Sequence, residues 1–409
     1  MRFILPGALL LSTLVAQAAC SAREHAAEVA APASDSGAPP AEASAPVDPV
    51  GFRAAGKLRT ARALATATRL RDGRVLIAGG ESDDYTMLAT AELYDPATET
   101  VTAAASMPEP RDHHTATLLA SGEVLVVGGG PGSEISTPTG EGVLSSALLY
   151  DPATNAWRAT GALRGARAGH RAAQLVDGRV LVAGGGDRVG YPCAAIHPHC
   201  MIADSIGTAE IYDPASGTFT PTGDLAHPRL AFSLDVLGSG RVVATGGAAA
   251  NQGLTSVEIF DPGTGLWSKA PDLVGQRLYH ASAVLAGSLV VVGGKIANVR
   301  PITTTDLLGE GASVWRRGAD INEPRTGAKL VALPSGRGLM VGGNNQLTDS
   351  TLADARLYDA SSDTWTPIEP LARGRYGHAV VLLEDGSLIV VGGRGADGTV
   401  AEIERSQAP

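Results

Sequence analysis

The sequence predicts an all-β fold built from seven repeated units of short strands, and three observations carry that prediction. Fifty-one glycines stand beside only five phenylalanines in 409 residues, a composition of many short strands joined by tight turns. A glycine pair ending an apolar run recurs seven times, at Gly79-Gly80, Gly128-Gly129, Gly184-Gly185, Gly246-Gly247, Gly293-Gly294, Gly342-Gly343 and Gly392-Gly393. The copies are 47 to 62 residues apart, the period of a repeat architecture. A net charge of -10 argues against a nucleic-acid or anionic-membrane surface.

The N-terminus reads as an export signal. Arg2 precedes a short apolar stretch, FILPGALLLSTLVA, and small residues lead to Cys20. Small residues before a cysteine resemble the lipobox of bacterial lipoproteins, which implies a signal peptide over 1-19 and acylation of Cys20. Gln17 departs from the aliphatic residue usual there, so ordinary cleavage after Ala18 or Ala19 stays open. Ser21 after the cysteine implies the outer membrane or cell surface by that resemblance; a periplasmic or secreted protein is the alternative. Residues 20-49 are rich in Ala, Pro and Ser and lack aromatic side chains, so they are expected to be a disordered tether.

The repeat occupies 50-405, with 406-409 as a tail. Each unit opens with a strand, a small turn such as Asp72-Gly73 or Ser121-Gly122, and a second strand closed by the diglycine. A third strand ends in Tyr-Asp-Pro or a relative, as in AELYDP and VEIFDP. The fifth copy is worn, with Leu308-Gly309 in that place. A fourth strand carries Val101, Trp157, Phe219, Trp267, Trp315 or Trp365, and the tryptophans are expected to anchor neighbouring blades.

Four strands per unit, a diglycine and a fourth-strand aromatic resemble the kelch repeat, the blade of a family of β-propellers. The last copy lacks a fourth strand, whereas VGFRAAGKLRTAR at the start matches NAWRATGALRGAR of the third unit. Phe52 then occupies the Trp157 position, and the N-terminal strand is expected to complete the last blade and remove the open edge.

Spacing separates the constant parts from the variable ones. The fourth-strand position lies ten residues before an arginine in every unit: Arg62, Arg111, Arg167, Arg229, Arg277, Arg325 and Arg375. From the second glycine to the third strand there are 11, 18, 24 and 10 residues in the first four units. These loops and the arginines are expected on one face. In one reading the arginines ring the channel mouth and bind a carboxylate or acidic ligand through bidentate contacts. In the other, each bonds backbone carbonyls or an acid of the neighbouring blade and serves the fold. His114, His170, His280 and His378 share one offset after the arginine and are expected to be structural.

No catalytic residue, cofactor or metal site is assigned from the sequence. Resemblance to galactose oxidase-like copper enzymes implies a Tyr-Cys crosslink; besides Cys20, the cysteines are Cys193 and Cys200, and Tyr191 is too close along the chain to copy it. Sialic acid mutarotase-like enzymes of the periplasm are a second catalytic alternative, without a distinctive acid/base pair here. The function expected is a binding module, monomeric, recognising a protein or glycan through its loop face, with no nucleic-acid partner.

The stretch CAAIHPHC leaves three readings open: a Cys193-Cys200 disulfide, a metal held with His197 and His199, or free thiols. Acylation of Cys20 would leave an even pair in an exported protein, which favours the disulfide. Closing that loop is worth about 2.5 kcal/mol in the chain-entropy model.

Overall fold

The computed structural model describes residues 48–130, 142–189, 202–250, 252–296 and 300–407. Every regular element among them is a β-strand. Seven four-stranded antiparallel sheets follow one another, and the innermost strands, beginning at Thr66, Thr115, Arg171, Ser233, Ala281, Lys329 and Ala379, neighbour each other in a closed circle. This is the seven-bladed propeller that the repeat predicts.

The second strand of each blade shows why the sequence folds this way. Val75–Ala78, Val124–Val127 and Val180–Ala183 are buried at every position, and their counterparts are buried throughout except at Ser288, so they read as continuous apolar runs and not as alternating ones. Each is sandwiched between two neighbouring blades. The apolar clusters accordingly straddle blade boundaries: Leu181 and Ile211 of the third blade pack with Val242 and Phe260 of the fourth.

The glycine pair has a steric reason. Both residues take positive φ, 58° at Gly246 and 97° at Gly247. A Cβ on Gly246 would lie 2.6 Å from the carbonyl oxygen of Arg277 in the next blade, so neither the conformation nor the space admits a side chain.

The fourth-strand aromatics tie each blade to the one before. Nε1 of Trp157 donates to the Ala105 carbonyl at 2.7 Å, that of Trp267 to Gly223 at 2.9 Å and that of Trp315 to Pro271 at 2.8 Å. Trp157 also packs on Tyr150 of its own blade, ring centroids 4.9 Å apart. The worn fifth blade keeps Trp315, but its outer strand shrinks to Arg316–Arg317.

Closure is as expected. Gly51–Lys57 pairs antiparallel with Glu402–Gln407, with Phe52 opposite Ser406, completing the last blade. The limits differ by two residues at each end: Ser406 and Gln407 belong to the strand and not to a tail, and Asp48 and Pro49 already pack on the domain, Asp48 pairing with Arg337 at 2.9 Å. Side chains lock the seam on both faces. On the loop face, Arg394 of the last blade meets Glu81 at 3.2 Å and lies 4.1 Å over the Tyr85 ring of the first. On the opposite face Arg405 donates to the Pro96 carbonyl at 2.9 Å, and Arg53 to Glu99 at 2.9 Å.

Because the closing strand completes the last blade and ties the two chain ends together, removing residues 48–57 should lower the thermal midpoint by at least about 10 °C and broaden the transition, measured by circular dichroism. An unchanged midpoint would show that the ring does not depend on this strand.

Candidate functional site

The seven repeated arginines are not a ligand ring. All are buried, and their guanidinium groups point into their own blades. Arg229 is typical: it donates to the carbonyls of Gly246 at 2.9 Å and Ser256 at 3.0 Å, and pairs with the buried Glu258. Arg62 does the same with Gly79, Thr90 and Glu92, and Arg167 with Gly184, Thr208 and Glu210. Arg277 pairs with Asp306 and Arg375 with Glu404. This corrects the channel-mouth reading of Arg62, Arg111, Arg167, Arg229, Arg277, Arg325 and Arg375. It also amends the structural one, since each acid belongs to the same blade.

Two blades lack the third-strand acid and recruit another. Leu148 stands in its place in the second blade and Arg356 in the sixth; Glu109, at 3.4 Å from Arg111, and Asp354, at 2.8 Å from Arg325, substitute. Burial lowers the pKa of Arg111 to about 10, with only the half-exposed Glu109 opposing it.

The same arginines join the blades through their backbones. The carbonyl of Arg277 accepts from Gly247 N of the preceding blade at 2.9 Å, and that of Arg62 accepts from Gly393 N at 2.8 Å, so the series runs right round the ring.

Just beyond each arginine the chain enters its blade on the loop face. The residue after the arginine bridges to the residue after the diglycine in all seven blades, as in Ala168 with Gly186 and Leu278 with Lys295. Entry turns and strand-two-to-three loops therefore share a face, as the spacing predicts. In the third blade the loop rises as a hairpin, Gly186–Val189 paired with Ile202–Ser205. Its tip, with Cys193 and Cys200, lies outside the described residues, as does Cys20.

The second residue after each arginine is left-handed. Glycine supplies this at Gly169, Gly327 and Gly377, but Leu64, His113, Ala231 and Tyr279 adopt φ of 49° to 56°. Their backbones link blades: Leu64 N donates to Gly377 O at 2.8 Å and Tyr279 N to Ala231 O at 3.0 Å. Non-glycine residues there carry a strain of about 1 kcal/mol each and place a side chain at the channel mouth. Burial pulls the His113 pKa down, but Asp112 at 3.1 Å and the nearby Glu81 outweigh it, so His113 gains basicity.

One residue deeper, His114, His170 and His378 are buried and His280 half-buried, all turned toward the preceding blade. Nε2 of His114 meets Thr66 Oγ1 at 2.9 Å, that of His170 meets Thr115 Oγ1 at 3.0 Å, and that of His280 meets Ser233 Oγ at 3.1 Å. Burial, reinforced by the arginine three residues earlier, lowers His114 and His280 to about 3 and His170 well below its usual value. Among the described residues no three His, Cys, Asp or Glu side chains come together as a metal site requires.

Where the histidine-hydroxyl pairing lapses, cations enter the channel. Arg171 and Lys329 occupy the hydroxyl position of the third and sixth blades. Both are exposed on innermost strands, whose one opening to solvent is the channel. Arg171 is held by Nε donating to Phe232 O at 2.9 Å, and Lys329 faces His378, which has no protein partner on either ring nitrogen. Lys329 meets solvent only within the channel, and the desolvation there, followed by the field of Arg171, lowers it to about 8. Nearby, Asp235 accepts from Ser282 Oγ at 2.7 Å, and burial raises its pKa. The repeat-based reading missed this pair because it looked for groups shared by all blades. The signal lies four residues after the arginine, where the other blades have Thr, Ser or Ala.

A family model described as "Kelch motif" matches residues 236–274, which contain the second, third and fourth strands of the fourth blade. Alpha-scruin of Limulus polyphemus is 29% identical over 168 residues, which are 41% of this chain and 17% of that protein. The chain thus matches less than a fifth of the length of that relative. Among solved structures, a fungal alcohol oxidase of the AA5 family in complex with copper superposes with a TM-score of 0.67 at 18% identity, covering 89% of this chain and 76% of that one. At that identity the likeness is one of fold.

Two outcomes follow from the buried groups. Glu258→Ala, which removes a fully buried acid and strands Arg229, should cost about 3–5 kcal/mol in urea unfolding, and Glu109→Ala, whose half-exposed carboxylate stands 3.4 Å from Arg111, should cost less than that. The histidines are kept neutral in the fold and have a pKa of about 6.5 when unfolded, so their contribution is complete above that pH and is lost as pH falls toward 3. The thermal midpoint should therefore fall below pH 6.5, and changing His114, His170 and His280 to Asn should flatten that fall while lowering the midpoint at pH 7.5.

Proposed function

We propose that this chain, a kelch-repeat β-propeller, is an exported and lipid-anchored binding module that engages a protein partner through the face carrying its entry turns and strand-two-to-three loops. The observation that supports this most directly is the division of labour between its parts. The seven arginines and their acids are occupied inside the blades, while almost all of the length variation is gathered on one face by the same seven bridges. A constant scaffold under variable loops is the arrangement in which recognition resides.

The mouth supports the same reading. Leu64, His113 and Tyr279 stand at left-handed positions where glycine serves in other blades, and Lys295 lies 5.7 Å from the Tyr279 ring. Such side chains give the face an aromatic and charged character that the fold does not require. Cys20 as the acylated residue, with the following segment as tether, would display this face from an outer membrane or cell surface. The catalytic alternative, a galactose oxidase-like or mutarotase-like enzyme, has the likeness of fold in its favour but no cluster of metal donors among the described residues.

The test is affinity capture from the native cell envelope with the intact chain and with a variant whose residues 188–203 are replaced by a short turn. The expected result is a captured protein that the variant loses at an unchanged thermal midpoint. Equal capture by both chains, or none by either, would overturn the assignment of this loop to the partner surface.

A further inference from the structure

We propose that the central channel holds a binding site for a small free carboxylate, gripped between Arg171 of the third blade and Lys329 of the sixth. Both residues are the first of their innermost strands, four residues after the repeated arginine, so they stand at the same depth and three blades apart across the ring. Both are exposed, and among the described residues neither forms an ion pair. The seven arginines behind them all have acids, so the lack of one here distinguishes this pair from the scaffold.

Arg171 is positioned as a binding group. Its Nε is fixed on the Phe232 carbonyl at 2.9 Å, which orients the guanidinium and leaves the terminal nitrogens as the edge that grips a planar carboxylate in bidentate fashion. Lys329 supplies a mobile point charge from the far side, suited to a second carboxylate or to the other oxygen of the first. The nearby acid, Asp235, is tied to Ser282 at 2.7 Å and does not reach ion-pair distance of Arg171. Two like charges facing the same channel oppose each other, and the field of Arg171 adds to desolvation in lowering the pKa of Lys329. An anion between them relieves it.

The entry turns roof the channel by bonding blade to blade, Gly169 N to His113 O at 2.9 Å and Gly327 N to Tyr279 O at 3.0 Å. A ligand entering from the loop face passes that ring before it reaches the depth of Arg171 and Lys329, which favours a small molecule over a chain. This site is independent of the partner surface proposed above.

Isothermal titration of the intact chain with succinate and citrate at pH 7 tests the inference. Binding of at least one is expected, weakened at least tenfold by Arg171→Gln and by Lys329→Gln, and absent for uncharged succinamide. The same anion should raise the thermal midpoint of the wild type and leave that of both variants unchanged, which separates loss of the site from loss of the fold. No binding by either anion at 10 mM (about the weak limit for a specific site), or equal binding by wild type and variants, would overturn the proposal. A glutamate-rich peptide that binds through Arg171 and Lys329 when succinate and citrate do not would overturn its small-molecule part.

Discussion

The propeller depends on a single residue used twice. The guanidinium of each repeated arginine gathers the carbonyl of the diglycine, the third strand and an acid within its own blade. Its backbone carbonyl then receives the second glycine of the blade before. A buried cation is tolerable only when its hydrogen bonds and charge are both met, so the carbonyls, the acid and the close approach are required together. The glycine pair is part of the same constraint, because the next blade's carbonyl occupies the space a Cβ would take. From the arginine to the diglycine the spacing is fixed to within one residue, and the segment between the diglycine and the third strand, which the cluster grips only at its end, as at Thr90, Thr208 and Ser256, varies in length.

Much of this was legible in the sequence because it repeats. Seven diglycines count the blades, and the missing fourth strand after Glu402 together with the surplus one at Phe52 foretells closure. A constant spacing on one side of the diglycine and a variable one on the other places the loops on one face. What the repeat could not reveal is where a side chain points. An arginine present in every copy is compatible with a ring of ligands or a ring of clamps, and only packing decides. Glu92, Glu210, Glu258 and Glu404 share one position in the third strand and, read in pairs with the arginines, could have favoured the clamp. The substitute acids Glu109 and Asp354 could not have been found that way, since they sit at other positions.

The channel was less legible for a related reason: its chemistry is written across blade boundaries. Aligning the first inner-strand residue of one blade with the third residue after the arginine in the next gives Thr66 with His114, Thr115 with His170 and Ser233 with His280. The alanines go together too, Ala281 with Ala328 and Ala379 with Ala65. Arg171 with Phe232 and Lys329 with His378 are the two departures. A blade read alone shows only a stray threonine or lysine; the ring must be known before the pairing can be seen.

The closing strand has a mechanical consequence. The chain enters beside Asp48, held to Arg337 and Ser335 on the face opposite the loops, and Gly51–Lys57 then runs toward the loop face alongside Glu402–Gln407. A pull on the upstream segment, directed away from the loops, acts along this strand and loads its paired residues in shear, all at once. A pull across the strand would break them one after another. The seam that makes the ring continuous is thus oriented to bear tension from that side, so force arriving through the N-terminal segment meets the strongest direction of a β-pair.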